Sequence, residues 1–225
     1  MTHHAVSGRA IAGVGASRRS YTASELTRES LADTWLAQLH AWYDEAVDDD
    51  RIIEANAMQV ATVDEEGRPD VRTVLARGFD SSGVVFFTNY SSTKGRQLRS
   101  NSRAAAVFSW LALERQVRFR GSVSKVSRAE TEAYFGSRPR GAQLAAWASA
   151  QSEVIAERAV LDERLMEFAI RFEGLDIPVP EYWGGYRIEV AEMEFWQGRE
   201  FRLHDRLRYR PSGESDRWVV ERLAP

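Results

Sequence analysis

Between residues 57 and 126 the chain repeats its apolar residues at every second position in five closely spaced runs, and nothing else in its 225 residues limits the fold so tightly. Ala57–Val63, Val71–Arg77, Val84–Thr88, Ala104–Trp110 and Arg115–Val126 read as strands, because a period of two places alternate side chains on opposite faces of a pleated sheet. Glu65-Glu66-Gly67-Arg68-Pro69 and Asp80-Ser81-Ser82-Gly83 are turn sequences between them. Connections this short join antiparallel neighbours, since a parallel crossover needs a dozen or more residues. Tyr186–Trp196, Arg202–Arg210 and Trp218–Leu223 add three later strands. The expected fold is α+β, an antiparallel β-barrel with peripheral helices.

The helices fall in the gaps. Leu31, Trp35, Leu39, Trp42, Tyr43 and Ala46 recur at helical spacing, with Thr22-x-x-Glu25 or Thr27 as the expected cap. Ser127-x-x-Glu130 is a capping box that opens a short helix through Phe135. Arg138-Pro139-Arg140-Gly141 interrupts it, and helical stretches follow over Ala142–Ala150 and Ala156–Phe172. Leu161, Leu165, Phe168 and Phe172 share one face of the last, and Pro178 and Pro180 end it. Residues 1–20, rich in Gly, Ala and Ser without a period, read as a mobile arm, and 21–225 as a single domain.

Several function classes drop out. No run reaches the roughly 20 apolar residues that span a bilayer, and the first 20 residues hold no apolar stretch of signal-peptide length. With no cysteine there are no disulfides, thiolate metal sites or thiol nucleophiles, and the histidines His3, His4, His40 and His204 show no ligand spacing in the folded part. The expectation is a soluble, cytoplasmic, metal-independent protein. Gly13-Val-Gly15 follows no strand and lacks the third glycine of a dinucleotide fingerprint.

The net charge of −3 argues against a nucleic-acid binder, but the charges are unevenly placed. Lys94 to Arg120 holds seven basic residues against Glu114, and Arg199 to Arg210 five arginines and His204 against two acids. Such local excess in an acidic chain points to a small anion such as a phosphate. If Arg202–Arg210 is one strand, Arg202, His204, Arg206 and Arg208 share a face; an edge strand kept soluble by arginine has the same pattern, but four cationic groups in a row repel one another unless an anion sits among them. Arg72 and Arg77 differ in parity, so one strand presents an arginine to each side unless a bulge intervenes. Ser91-Ser92-Thr93-Lys94-Gly95 sets hydroxyls, an ammonium and free N–H groups at a helix N-terminus, a phosphate cradle without Walker spacing. Arg138-Pro-Arg140 adds a forked donor beside Tyr134. No nucleophile–base pair or paired carboxylates stand out, so these donors suit a site that holds anions and leaves the chemistry to a bound cofactor.

Taken in order, Arg18-Arg-Ser-Tyr21, Asn56-Ala-Met58, Arg72-Thr-Val-Leu75, Phe86-Phe-Thr-Asn89, Lys94-Gly, Glu114-Arg-Gln116, Tyr134-Phe-Gly-Ser-Arg-Pro-Arg140, Gln151-Ser152, Trp183-Gly-Gly185, Glu194-Phe-Trp-Gln-Gly198, Arg202-Leu-His-Asp-Arg206 and Glu221-Arg-Leu-Ala-Pro225 resemble the pyridoxine/pyridoxamine 5′-phosphate oxidases over about residues 18–225. The resemblance implies a split-barrel homodimer with FMN at the subunit interface, oxidising the phosphorylated pyridine with O2 to pyridoxal 5′-phosphate and H2O2. It implies FMN contacts from Arg72, Thr73, Val74, Leu75, Ala76, Arg77, Phe87, Thr88, Thr93, Lys94, Gln116, Gln151, Ser152, Trp196 and Arg206. It implies substrate contacts from Arg18, Arg19, Tyr21, Arg77, Tyr134, Arg138, Ala142, Arg202, Leu203 and His204, with Arg202 and His204 as the catalytic pair. Three positions depart from the family pattern: Arg77 where lysine is usual, Thr93 where arginine is frequent and Ala142 where serine is frequent. Related oxidases of phenazine precursors share the C-terminal pattern, and Tyr134 with Arg138 favours the vitamin B6 substrate. A flavin- or haem-binding split barrel without catalysis is the alternative outside enzymes.

Overall fold

The structure, a computed structural model, describes residues 20–213 and 217–225. The expected arm, with Arg18 and Arg19, lies outside the described residues except for Ser20. The described residues form eight antiparallel strands: β1 (Ala57–Val63), β2 (Pro69–Asp80), β3 (Gly83–Asn89), β4 (Arg103–Trp110), β5 (Arg115–Lys125), β6 (Trp183–Gln197), β7 (Asp205–Pro211) and β8 (Trp218–Arg222). They are ordered β3-β2-β1-β4-β5-β6-β7-β8, and a further β3–β6 pairing closes the first six into a barrel.

The closure depends on β6. Its first residues, Trp183 to Ile188, pair with β3, while Met193 to Gln197 pair with β7, so the strand starts in the ring and leaves it. A register shift at Arg120/Gly121 on β5 marks the handover. Gly121 is needed there, because a Cβ would come within 1.6 Å of the Glu189 carbonyl oxygen.

The runs on β1, β4 and β5 bury what alternation predicts, whereas β3 is buried on both faces. On β1 Met58, Val60 and Thr62 point inward; Met58 and Val60 meet Phe86, Phe108, Phe119, Ile188 and Phe195 in one core, and Thr62 bonds Gln97 and Arg72. Helix α1 (Trp35–Asp48) lays Trp35, Leu39, Trp42 and Ala46 on that core, with Trp42 edge-on to Phe195 at 5.2 Å. Its cap is Thr34, accepting from the Ala37 N–H, in place of Thr22 or Thr27. A second core of Phe135, Leu144, Phe172, Ile177 and Trp183 lies under α3 (Arg128–Ser137), α4 (Arg140–Ala148) and α5 (Ala159–Arg171). Both halves of the Ser127/Glu130 capping box form. Helix α2 (Thr93–Ser100) opens after β3 with Ser92 as its cap. No helix among the described residues is long and apolar enough to cross a membrane.

One expected element differs. The strand expected from Arg202 begins only at Asp205. Glu200–Arg202 is a single 3-10 turn in which Phe201 and Arg202 both take left-handed backbone (φ 55° and 64°), so Arg202 and His204 lie in a loop ahead of the strand.

Candidate active site

Strands β2 and β3, the start of α2 and the α3–α4 corner enclose a cleft of about 660 Å³. Of the residues singled out in the sequence, Thr73, Val74, Leu75, Arg77, Phe87, Thr88, Lys94, Tyr134, Arg138, Ala142 and Gln151 line it. Arg77 reaches it through a bulge: Ala76 pairs with Phe86 and Gly78 with Val85, leaving Arg77 as the extra residue. Its guanidinium sits 5.8 Å from the Tyr134 ring centroid.

The cleft has a cationic end and an aromatic wall. Lys94 is buried, its Nζ donating to Thr88 Oγ1 at 3.3 Å and Gln151 Oε1 at 3.1 Å. No carboxylate among the described residues forms an ion pair with it. Burial, then the nearby Arg72 charge, lowers its pKa, against the pull of Asp70. Along the wall Phe87 stacks on Tyr134 at 4.0 Å and on Trp183 at 5.4 Å. Arg138 lies over Trp183, 4.7 Å from the ring centroid, and its buried Nη1 has no hydrogen-bond partner. Burial lowers the Arg138 pKa, with the Arg77 charge acting the same way and Tyr134 opposing. An orphaned guanidinium nitrogen and a buried ammonium without a counter-ion are costly unless an anion completes them, so the donor set fits phosphate-bearing ligands.

Arg72 turns away from this cleft. It donates to Val60 O, Thr62 Oγ1 and Gln97 Oε1 and pairs with Asp70 at 2.5 Å. Ala76 is buried in the barrel core, and Thr93 opens α2 with its hydroxyl accepting from Arg96. Ser152 occupies a left-handed turn (φ 75°) beside Gln151.

A second group of expected site residues gathers elsewhere. Gln116 pairs with Trp196, and Trp196 with Arg206, in one row across β5, β6 and β7. The His204 ring lies 4.6 Å from Trp196 and 5.7 Å from Tyr21. Arg202 and Leu203 flank it in the loop, both exposed. His204 Nδ1 accepts from the Arg199 N–H at 3.0 Å, so the neutral ring carries its proton on Nε2. Burial, then the Arg202 charge, lowers the His204 pKa and favours that neutral form. Trp183 lines the cleft and Trp196 follows 13 residues later on the same strand. No residue of this second group lines the cleft, although the sheet register ties the two regions: Phe195, next to Trp196, pairs with Val117, Val117 with Phe108, Phe108 with Met58 and Met58 with the cleft-lining Val74.

The arginine row needs no external anion. Glu194 takes Arg206 through Nε at 2.7 Å and Nη2 at 3.2 Å and also pairs with Arg118. Arg208 lies between Glu192 and Glu221, and Arg210 pairs with Glu221. The repulsion expected along this strand is met by the chain's own carboxylates on β6 and β8. Arg115 and Arg120, from the basic run, pair with Glu45 and Glu192 in the same way. Trp183, Asn89, Ser137 and Ser149 line the cleft without having been singled out as site residues. Asn89 and Trp183 stand in the quoted motifs, and their β3–β6 pairing is the signal that puts them together.

Residues 44–170 match the family model described as pyridoxamine 5′-phosphate oxidase, and 183–225 the one described as pyridoxine 5′-phosphate oxidase C-terminal dimerisation region. The pyridoxine/pyridoxamine 5′-phosphate oxidase of Saccharopolyspora erythraea is 54% identical over 92% of this chain and 93% of its own. That of Pseudomonas syringae pv. syringae is 51% identical over 92% and 96%. Among solved structures, PhzG from Burkholderia lata 383, in complex with tetrahydrophenazine-1-carboxylic acid, superposes with a TM-score of 0.81 at 29% identity, covering 89% of this chain and 98% of its own.

Proposed function

The chain belongs to the pyridoxine/pyridoxamine 5′-phosphate oxidase family, and we propose that it oxidises pyridoxine or pyridoxamine 5′-phosphate with FMN and O2, giving pyridoxal 5′-phosphate and H2O2. The observation that carries this reading is Arg138: a buried guanidinium nitrogen without a partner, over an aromatic wall that suits a flat ring.

Lys94, the α2 N-terminus and Gln151 would hold the FMN phosphate, and Thr73 to Leu75 with Phe87 would line the cofactor. When bound, FMN supplies the hydride acceptor and the route for electrons to O2. Arg138 and Tyr134 fix the substrate phosphate at the other end of the cleft, and Arg77 stands between the two anions. Because Arg77 has replaced lysine, a planar fork serves both where a point charge is usual.

The working site is shared between two copies. Within one chain none of Gln116, Trp196, Arg202, His204 and Arg206 lines the cleft, which leaves them to complete the cleft of a second copy. A two-fold axis brings the cleft of one subunit to the Trp196–His204 group of its partner, in line with the dimerisation-region match. His204 would offer its Nε2–H to the substrate ring, Arg202 would orient that ring, and Arg206, held by Glu194, would be the cation that attends the cofactor.

The test starts from purified protein. The flavin released on denaturation should chromatograph as FMN, and pyridoxine 5′-phosphate should bleach the visible band without oxygen and yield aldehyde with it. FAD as the stoichiometric flavin, or a band indifferent to this substrate, overturns the proposal. Bleaching by a dihydrophenazine carboxylate alone would assign the chain to the other branch.

A further inference from the structure

Glu114 is an acid in an unusual place. It is 4% exposed and joins a 3-10 turn to β5 in left-handed backbone (φ 56°, ψ 37°), a region that non-glycine residues rarely adopt. Its carbonyl accepts from the Gly198 N–H at 2.8 Å and from Gln197 Nε2 at 3.2 Å, tying the start of β5 to the end of β6. Its carboxylate accepts from the Ala23 N–H at 3.0 Å.

That last bond belongs to a series. Residues 20–26 lie along the β6–β7 corner, with Ser24 Oγ donating to Gln197 Oε1 at 2.8 Å and the Leu26 N–H to Asp205 Oδ2 at 3.1 Å. Tyr21 is set down on Gly198, where a Cβ would come within 2.8 Å of its ring. From that seat Tyr21 meets Trp196 edge-on at 5.9 Å and His204 at 5.7 Å. The imidazole is thus held by Trp196 and Tyr21 while the Arg199 N–H holds its Nδ1.

We propose that Glu114 is a positioning residue for the reaction: its carboxylate latches the 20–26 strap and so seats Tyr21 against His204, fixing the direction of the Nε2–H. The proposal rests on the reading above that gives His204 to the substrate. A left-handed, buried glutamate is explained by it, because the turn aims the carboxylate at the strap while the backbone of the same residue secures Gly198, the seat of Tyr21.

The test uses the FMN-loaded dimer, Glu114→Ala, Glu114→Gln and Gly198→Ala. Hydrogen–deuterium exchange of a peptide spanning 20–26 should quicken at least about tenfold in Glu114→Ala, the size expected for the Ala23 hydrogen bond alone, while a peptide from β5 stays unchanged. The kcat/KM for pyridoxine 5′-phosphate should fall about tenfold with FMN content constant. Glu114→Gln keeps an acceptor oxygen and should behave as the parent. Gly198→Ala, whose Cβ would come within 2.8 Å of the Tyr21 ring and 3.1 Å of Glu114 Cβ, should reproduce the loss by unseating Tyr21. Unchanged strap exchange in Glu114→Ala, equal loosening of β5, failure of glutamine to rescue, or a loosened strap with undiminished kcat/KM each overturns the proposal. A parent that binds FMN and does not oxidise this substrate sinks the functional reading instead, and the exchange arm still decides whether Glu114 is the latch.

Discussion

Replacing Arg138 with methionine separates phosphate recognition from everything else the cleft does. In the free protein its buried Nη1 lacks a partner, a cost of about 1–3 kcal/mol, offset by about 0.5–2 kcal/mol from its place over Trp183. Methionine keeps an apolar stem on that ring and removes the orphaned group, so the unfolding free energy from urea titration should stay within about 1 kcal/mol of the parent. Binding responds differently. Losing a charge-assisted, forked contact to a phosphate costs about 2–4 kcal/mol, roughly a thirty- to thousandfold loss of affinity. Calorimetric titration of the FMN-loaded protein with pyridoxal 5′-phosphate and with unphosphorylated pyridoxal measures this directly. The phosphorylated ligand should lose its advantage while pyridoxal binds as before. Equal weakening of both ligands, or loss of FMN, would show that Arg138 serves the fold or the cofactor and would refute the reasoning.

Lys94→Met should release FMN from the purified protein at little cost in stability, because the buried ammonium has no carboxylate partner to strand; retention of stoichiometric FMN contradicts its role. Arg202→Leu should lower kcat/KM for pyridoxine 5′-phosphate about a hundredfold, near 3 kcal/mol, and His204→Asn less, with both variants folded and yellow; activity within a few-fold of the parent puts the chemistry elsewhere. Glu194 gives a pH signature. Burial pushes its carboxyl up, but bonds to Arg206 and the charge of Arg118 outweigh it, leaving it below the ordinary range. A depressed carboxyl contributes stability above its unfolded pKa and loses it as pH falls through the folded value, so Glu194→Gln should destabilise more at about pH 7 than at about pH 3.5. The same urea-midpoint difference at both pH values would contradict the pairing.

Strands β1, β4 and β5 were readable because one face of each is buried, which forces alternation, and the turns at 64–69 and 80–83 were readable because they are too short for anything but antiparallel pairing; β3, buried on both faces, was marked by its apolar run instead. The loop at 201–204 was not readable: Arg202, His204, Arg206 and Arg208 keep the parity of a strand, and two left-handed non-glycine residues carry no sequence mark. The acids that neutralise Arg206 and Arg208 sit on the neighbouring strands and become visible only once β6, β7 and β8 are in register. The capping box at Ser127 announced itself by local spacing, whereas the α1 cap moved to Thr34, where the helix begins nearer its buried Trp35. The residue types around the cleft were legible, but a sequence does not reveal that Trp183 and Trp196 stand at opposite ends of one long strand.

The absence of the Trp196–His204 group from the lining of its own chain's cleft underlies the central claim, a single site completed by two copies of the chain, and mixed dimers measure it. Arg138→Ala damages the cleft and Arg202→Leu the loop, so each homodimer should be nearly inactive with pyridoxine 5′-phosphate. After the two are co-refolded in equal amounts, half the dimers are mixed, and each mixed dimer holds one site with both groups intact. Activity should return to about a quarter of the parental value. If cleft and loop of the same chain served the same site, every site in the mixture would carry one defect, and no recovery at all would contradict the account.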